Sequence, residues 1–389
     1  MKNRISYVFI LLALLFAFGG ILTYSRHTFA EEIIKAESKS LILMDANSKT
    51  ILYNKDELKE LPIASMCKIM TLLICFEEID ENRLSLDETI TISENASGMG
   101  GSQIFLEEGG EYSVEQLLKG IVVASANDAC VALAERTFGS ESLFVDKMNS
   151  KAKDLSMNNT VFINCTGLPK VGQYSCAKDV AIMFSELIKH HLYFKYSTIW
   201  LDEIKHPNDR VASISNTNKL IRFYQGCDGG KTGYTSEAGH CLTACAKRDG
   251  LRLISVVIGA PNSKTRFAES SSLLNYGFAN YCSKTIVSHD KPLEFSVDVI
   301  GGKQSKISLI AEKDISLFCK KNEKLNLQLD FELDKQLKAP IVKGQIIGVL
   351  SIYKDGVLVD EVNVLSCDNV DCKSYYENLN DCIKNWALA

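Results

Sequence analysis

The chain has 389 residues, 46% of them hydrophobic and 23% charged, which excludes a disordered polymer and leaves room for two domains with a sizeable core. A formal net charge of −5 gives no basic footprint, so nucleic acid is not an expected partner. The 13 cysteines are odd in number and show no metal-ligand spacing, so at least one thiol is free if the others pair.

Lys2 and Arg4 precede an apolar run from Ile5 to about Leu22, and Thr28-Phe29-Ala30 sets small residues at −3 and −1 before Glu31. Two readings fit. Residues 1–30 form a secretory signal cut after Ala30, or the run, close to the ~18 apolar residues that span a bilayer, stays as a signal anchor. Both place residues from 31 onward outside the cytoplasm. Export of free thiols suits a cell that lives without oxygen.

Ser40–Met44 and Thr50–Tyr53 flank Asp45-Ala46-Asn47-Ser48 and read as strand, turn and strand. Next comes Leu61–Thr71, with Ser65 and Lys68 three residues apart at the start of an apolar helical period (Met66, Ile69, Met70, Leu73, Phe76) and Pro62 before it. Positions i and i+3 share a helix face, so a hydroxyl and an amine point into one cavity. A serine is a poor nucleophile until a neighbour takes its proton, and a desolvated lysine can do so as the neutral amine. Cys67 lies about 200° round the helix from Ser65 and is expected to pack. Ser-x-x-Lys recurs at Ser150/Lys153, Ser175/Lys178, Ser288/Lys291 and Ser351/Lys354, so the motif alone is a weak signal.

Residues 86–112 read as short strands and loops, including the Gly-rich Ser97–Ser102. Ser113-Val114-Glu115-Gln116 is a capping box that opens a helix running into Ala124-Ser125-Ala126-Asn127-Asp128. Helices follow over 128–137, 142–155 and 177–189. Strands come next, over 228–233, 240–246 and 251–259, and a helix over 266–276. Strands near both ends, with helices between them, predict one α/β domain over 31–288 whose sheet gathers strands from its start and its end. Short strands at 293–297, 306–310, 325–329 and 357–360 predict a small all-β domain over 289–366. In the last stretch, 367–389, Tyr376, Leu379, Ile383 and Trp386 lie on one face of an amphipathic helix. A membrane-surface anchor and a docking helix both fit, because over Lys373 to Ala389 the charges of Lys373, Lys384, Glu377 and Asp381 cancel.

Three motifs fall in order: Ser65-x-x-Lys68, Ser125-Ala126-Asn127 and Lys231-Thr232-Gly233. Ser-x-Asn recurs at Ser93/Asn95 and Ser156/Asn158, whereas Lys-Thr-Gly occurs once. Such a set marks serine β-lactamases and penicillin-binding proteins. With 120–135, 226–239 and 251–266 added, the chain resembles the D-alanyl-D-alanine carboxypeptidases among the low-molecular-mass penicillin-binding proteins, over about residues 35 to 285. The resemblance implies a serine β-lactamase/transpeptidase-like α/β domain (a mixed sheet with a helical insertion), then a small all-β domain. It implies removal of the terminal D-alanine from peptidoglycan stem peptides at the cell wall or the outer face of the cytoplasmic membrane, acylation by β-lactam antibiotics, and no cofactor. No metal is expected either, since the six histidines form no ligand motif.

Each role also has a chemical rationale. Ser65 attacks, Lys68 takes its proton, and Lys231 helps depress the pKa of Lys68. Ser125 relays a proton to the leaving amine, and Asn127 holds the substrate backbone. Lys231 and Thr232 suit a terminal carboxylate, and Gly233 lets a substrate strand approach the sheet edge. By resemblance, the backbone N–H groups of Ser65 and Tyr234 form the oxyanion hole, and Arg266 supports the carboxylate. Three competing readings are a β-lactamase, an endopeptidase and a non-catalytic wall-binding protein. The first lacks a class A Glu-x-x-Leu-Asn segment between Asn127 and Lys231.

Overall fold

The computed structural model describes residues 34–333 and 336–387, so the signal or anchor expected over 1–30 lies outside the described residues. The chain divides into two units, Met1–Glu37 and Ser38–Ala389, and the described strands and helices belong to the second.

At the centre of the first domain is a five-stranded sheet of β1 (Ser40–Asp45), β2 (Ile51–Lys55), β3 (Cys227–Thr235), β4 (Gly239–Arg248) and β5 (Leu251–Ala260), in the order β2-β1-β5-β4-β3. Its pairings are antiparallel throughout, where the sequence suggests a mixed sheet. Strand β1 pairs with β5 across the whole helical insertion, as strands gathered from both ends of the domain must.

Every residue of β1 is buried, and successive side chains of a strand point to opposite faces, so both faces are covered. Ile42, Met44, Ile254 and Val256 join the core with helices α1 (Lys68–Asp80) and α5 (Ala177–Leu187). The other face meets α7 (Ser263–Asn280), where Ser270 Oγ lies 2.7 Å from Ser255 Oγ. A Cβ on Gly277 of that helix would come within 3.0 Å of Leu43 and closer still to Leu253, so the missing side chain seats α7 on the sheet.

The insertion also contains α2 (Val114–Lys119), α3 (Asn127–Phe138), α4 (Glu141–Asp154) and α6 (His191–Ser197). Ser113 caps α2 in the expected capping box. This helix widens into a π turn over Gly120–Ala124 and stops at Ser125, which is left-handed at φ 65°. Widened turns of this kind often mark functional sites. The Ser-x-Asn motif is therefore a break between two helices, with Asn127 restarting the second. Ser65 departs from expectation too. It lies in a 3-10 turn, Ala64–Cys67, and the α-helix begins only at Lys68.

Strand β6 (Tyr281–Val287) continues α7 and pairs with β9 (Ile315–Lys320) as a two-stranded ribbon. The remaining strands are β7 (Ser296–Ile300), β8 (Lys306–Ala311), β10 (Leu327–Leu333), β11 (Leu337–Lys338), β12 (Ile346–Lys354) and β13 (Val357–Ser366), in a six-stranded sheet ordered β10-β12-β13-β8-β7-β11. Ile307, Leu309, Leu350, Ile352 and Val364 form its own core. Bridges Ile341–Val370 and Gly302–Cys372 add the chain just beyond β13 to this domain. Helix α8 (Tyr375–Ala387) follows, with Tyr376, Leu379, Ile383 and Trp386 exposed. Among the described residues, no helix is long and apolar enough to cross a membrane.

Candidate active site

The three motifs meet beside the edge strand β3. Lys68 Nζ lies 3.0 Å from Ser65 Oγ, 2.6 Å from Asn127 Oδ1 and 2.5 Å from the carbonyl oxygen of Thr166. Asn127 Nδ2 donates to the carbonyl of Gly100 at 2.7 Å, which turns its oxygen toward the lysine. A neutral amine has two protons and one lone pair. In that neutral state the asparagine and threonine oxygens can take the two protons and leave the lone pair for Ser65. Burial favours that form: Lys68 is wholly buried and its pKa is lowered by desolvation.

Lys231 of β3 is also buried, donating to Ser125 Oγ at 2.8 Å and to the Thr232 carbonyl at 3.0 Å. Its pKa falls well below the ordinary lysine range, first by desolvation and then by the charge of Lys68. The repulsion between the two amines thus registers at Lys231, whereas burial dominates at Lys68. Thr232 Oγ1 donates to Thr217 Oγ1 at 2.8 Å. Arg266 is buried and donates from one terminal nitrogen to the carbonyls of Gly233 and Cys241, fastening β3 to β4, and its Nε is buried without a partner. Tyr234 is exposed, with its ring 4.4 Å from that of His240.

A Cβ on Gly233 would lie 2.8 Å from the Ile63 carbonyl and 3.1 Å from the Ser65 nitrogen. The space is filled by the Ser65 turn. Gly233 therefore serves the approach of two backbones within the protein, where the sequence suggests room for a substrate strand. Gly167, at φ +80°, makes a second such approach, since its Cβ would overlap the Ala64 carbonyl.

The arrangement joins Ser65, Lys68, Ser125, Asn127, Lys231, Thr232, Gly233 and Arg266 in one place. Sequence reasoning missed Thr166, Thr217 and Asp128. Thr166 acts through its carbonyl, which no side-chain pattern reveals. Thr217 sits in Asn216-Thr217-Asn218, a run that looks like any polar turn until both asparagines are seen buried, with Asn216 bonded to the carbonyls of Ser197 and Ile199. The Asp128 carboxylate accepts the backbone N–H of Ile104, Leu106 and Ala129, pinning the loop next to Asn127. Cys67, Cys130 and Cys165 are buried near Lys68, and burial raises each thiol pKa, Cys130 to about 12, so all three are held as unreactive thiols. Among the described residues, no carboxylate is hydrogen-bonded to Ser65 or Lys68.

This fold and cluster define a serine acyl-transfer enzyme of the penicillin-binding and β-lactamase class. The profile of the D-alanyl-D-alanine carboxypeptidase family matches residues 27–262, and that of the penicillin-binding protein 5 C-terminal domain matches residues 281–371. The chain belongs to the D-alanyl-D-alanine carboxypeptidase family. It is 40% identical to the D-alanyl-D-alanine carboxypeptidase DacF of Bacillus subtilis, over 94% of this chain and 96% of that protein. It is 32% identical to DacC of Escherichia coli, over 88% of this chain and 87% of that protein. Among solved structures, penicillin-binding protein 5 of Haemophilus influenzae superposes with a TM-score of 0.65 at 32% identity, covering 87% of this chain and 98% of that one. Penicillin-binding protein D2 of Listeria monocytogenes, solved in its ampicillin-bound form, gives 0.56 at 31% identity, covering 63% of this chain and 98% of that one.

A Gly233→Ala variant is expected to acylate with fluorescent penicillin ~100-fold more slowly, because a displacement of about an ångström in the Ser65 turn costs that much. Far-UV circular dichroism is expected to stay unchanged. An unaltered acylation rate would show that the close approach is dispensable.

Proposed function

We propose that this protein is a serine-type D-Ala-D-Ala carboxypeptidase that removes the terminal D-alanine from peptidoglycan stem peptides through an acyl-enzyme on Ser65. The geometry of the Lys68 amine carries this reading: two acceptors take its protons and leave its lone pair on Ser65 Oγ. Lys68 accepts the Ser65 proton as the oxygen attacks the carbonyl between the two D-alanines. The backbone N–H groups of Ser65 and Tyr234 receive the developing oxyanion. Ser125, bonded to Lys231, passes a proton to the departing amine. Asn127 holds the substrate backbone, and Lys231 with the Thr232 and Thr217 hydroxyls receives the free carboxylate. Arg266 supports that end through the carbonyl of Gly233 and by its charge.

Peptidoglycan lies outside the cytoplasmic membrane, which supports an extracytoplasmic site of action, with residues 1–30 directing export. The same division assigns catalysis to 31–288, a spacer of β structure to 289–366 and an amphipathic tail to 367–389. β-Lactams mimic the D-Ala-D-Ala terminus. With no carboxylate bonded to Ser65 or Lys68 to drive deacylation, the penicilloyl-enzyme persists rather than turning over as in a β-lactamase.

Release of free D-alanine from a peptide ending in D-Ala-D-Ala is the direct assay. Wild type releases it, and Ser65→Ala lowers the rate ~10⁴-fold or more. Release that survives the substitution, or rapid penicillin turnover, would remove this reading. The pH profile tests the amine. A lowered Lys68 pKa leaves the base neutral at lower pH, so the rising limb of penicillin acylation falls below the ordinary lysine value of 10.5. A limb at that value would eliminate Lys68 as the neutral base. The exposed apolar face of α8 supports membrane attachment, and its charge, two acids to one base, calls for a zwitterionic rather than an anionic surface. The protein is expected to sediment with phosphatidylcholine vesicles and to lose this with Leu379→Asp/Ile383→Asp. No sedimentation would assign α8 as a docking helix.

A further inference from the structure

The ribbon of β6 and β9 holds two cysteines that the hydrolytic chemistry does not use. Cys282 and Cys319 are directly opposed in the antiparallel register, and their sulfurs lie 3.7 Å apart. Among the described cysteines, no other pair of thiols is in such contact. Opposed residues of antiparallel strands have Cα atoms about 4.5–5.5 Å apart, inside the window of about 4.4–6.8 Å that a disulfide requires. A bond can therefore form without moving either strand far.

Cys282 is half-buried and Cys319 is buried, and each residue borders a cavity. Cys319 lines a cavity of about 590 Å³ between the first domain and the ribbon, together with Ser48, Tyr281 and Glu323. Cys282 lines a second cavity of about 250 Å³ on which Arg248 and Lys321 open. Eight other described cysteines are buried.

The ribbon is also where the two domains are tied. Helix α7, which carries Arg266, runs directly into β6, and β6 pairs only with β9. Tyr281 stacks on Phe318 with centroids 5.2 Å apart, and Lys321 donates to the Asn280 carbonyl at 3.0 Å. An isolated two-stranded ribbon is marginal in water, so a covalent cross-link has much to add here.

We propose that Cys282 and Cys319 form a dithiol modification site that reacts with an electrophilic disulfide, small-molecule or protein-borne, and closes into a cross-strand disulfide within the ribbon at the root of the second domain. The thiolate of Cys282, the less buried of the two, attacks one sulfur of the oxidant, forming a mixed disulfide and releasing one thiolate. Cys319 then loses its proton and attacks the Cys282 sulfur, expelling the second thiolate. Two thiols and one disulfide become one disulfide and two thiols, with two electrons passed to the oxidant. Burial, followed by the bond to Cys282, pushes the Cys319 thiol up to about 11, so ring closure is the slower step and quickens with rising pH. The bond closes a loop across 37 positions and removes unfolded-state freedom from the segment that starts the second domain.

The test treats the purified protein with glutathione disulfide, then alkylates it and maps its peptides by mass spectrometry, with Cys282→Ser and Cys319→Ser alongside. Penicillin labelling of Ser65 in each sample reports that the site is folded. The expected result is a Cys282–Cys319 link, a loss of two free thiols, and a melting temperature raised by ~5 °C that dithiothreitol reverses. Both serine variants should lack the link and the shift. Glutathione retained on Cys282 without closure would overturn the proposal. So would a two-thiol loss that persists in Cys282→Ser, or a link with no effect on melting.

Discussion

The catalytic end of this molecule depends on keeping an amine dry. Burying an uncompensated ammonium costs several kcal/mol, whereas each hydrogen bond made in its place contributes about 1 kcal/mol, so desolvation is the largest influence on the Lys68 amine and lowers its pKa. The surroundings then determine where its lone pair points. Asn127 and the Thr166 carbonyl occupy the two proton positions, and Ser65 is left with the third. The Thr166 segment can come so close because Gly167 has no side chain to meet Ala64. The thiols of Cys67, Cys130 and Cys165 complete the lining as neutral packing groups. Their bulk keeps water out and their raised pKa values keep them inert.

A second buried amine, Lys231, gives the cleft its polarity. Arg266 and the amine donors of two lysines converge beside the edge strand, and among the described residues no carboxylate is hydrogen-bonded to either lysine. The one acidic group of the Ser-x-Asn segment, Asp128, is occupied by three backbone N–H groups, and desolvation raises its pKa. Such a cleft attracts an anion. The Thr232 and Thr217 hydroxyls lie beside these cations on the edge strand, so the cleft suits a chain terminus ending in a carboxylate. This is the physical content of exopeptidase specificity.

Behind the cleft, one helix links chemistry to architecture. α7 places Arg266 against β3 and β4 at its start, and at its end becomes β6, the strand through which the second domain is attached. The β domain therefore hangs from an element that also supports the site. Its own core is separate, so it can act as a spacer between the catalytic sheet and α8 without disturbing either.

Much of this was legible beforehand, and the limits of legibility are physical. Hydrophobic periodicity located α3, α4, α5, α7 and the buried strands β4 and β5, because these elements bury continuous faces. Helix α6 and the hairpin of Leu201–Lys205 with Val211–Ser215 were not legible, since their short runs mix exposed and buried positions. The nature of the Ser65 turn was hidden as well. Its apolar spacing is helical, and only packing against Gly233 and Gly167 tightens it into a 3-10 turn. By itself the sequence determined the chemistry available: a serine, two lysines, a second serine and an asparagine in an order that few proteins share. The tertiary structure decided the burial that lowers both lysine pKa values, the partners of the Lys68 amine and the contributions of Thr166 and Thr217. Those properties belong to distances between segments about 100 residues apart, which no local pattern encodes.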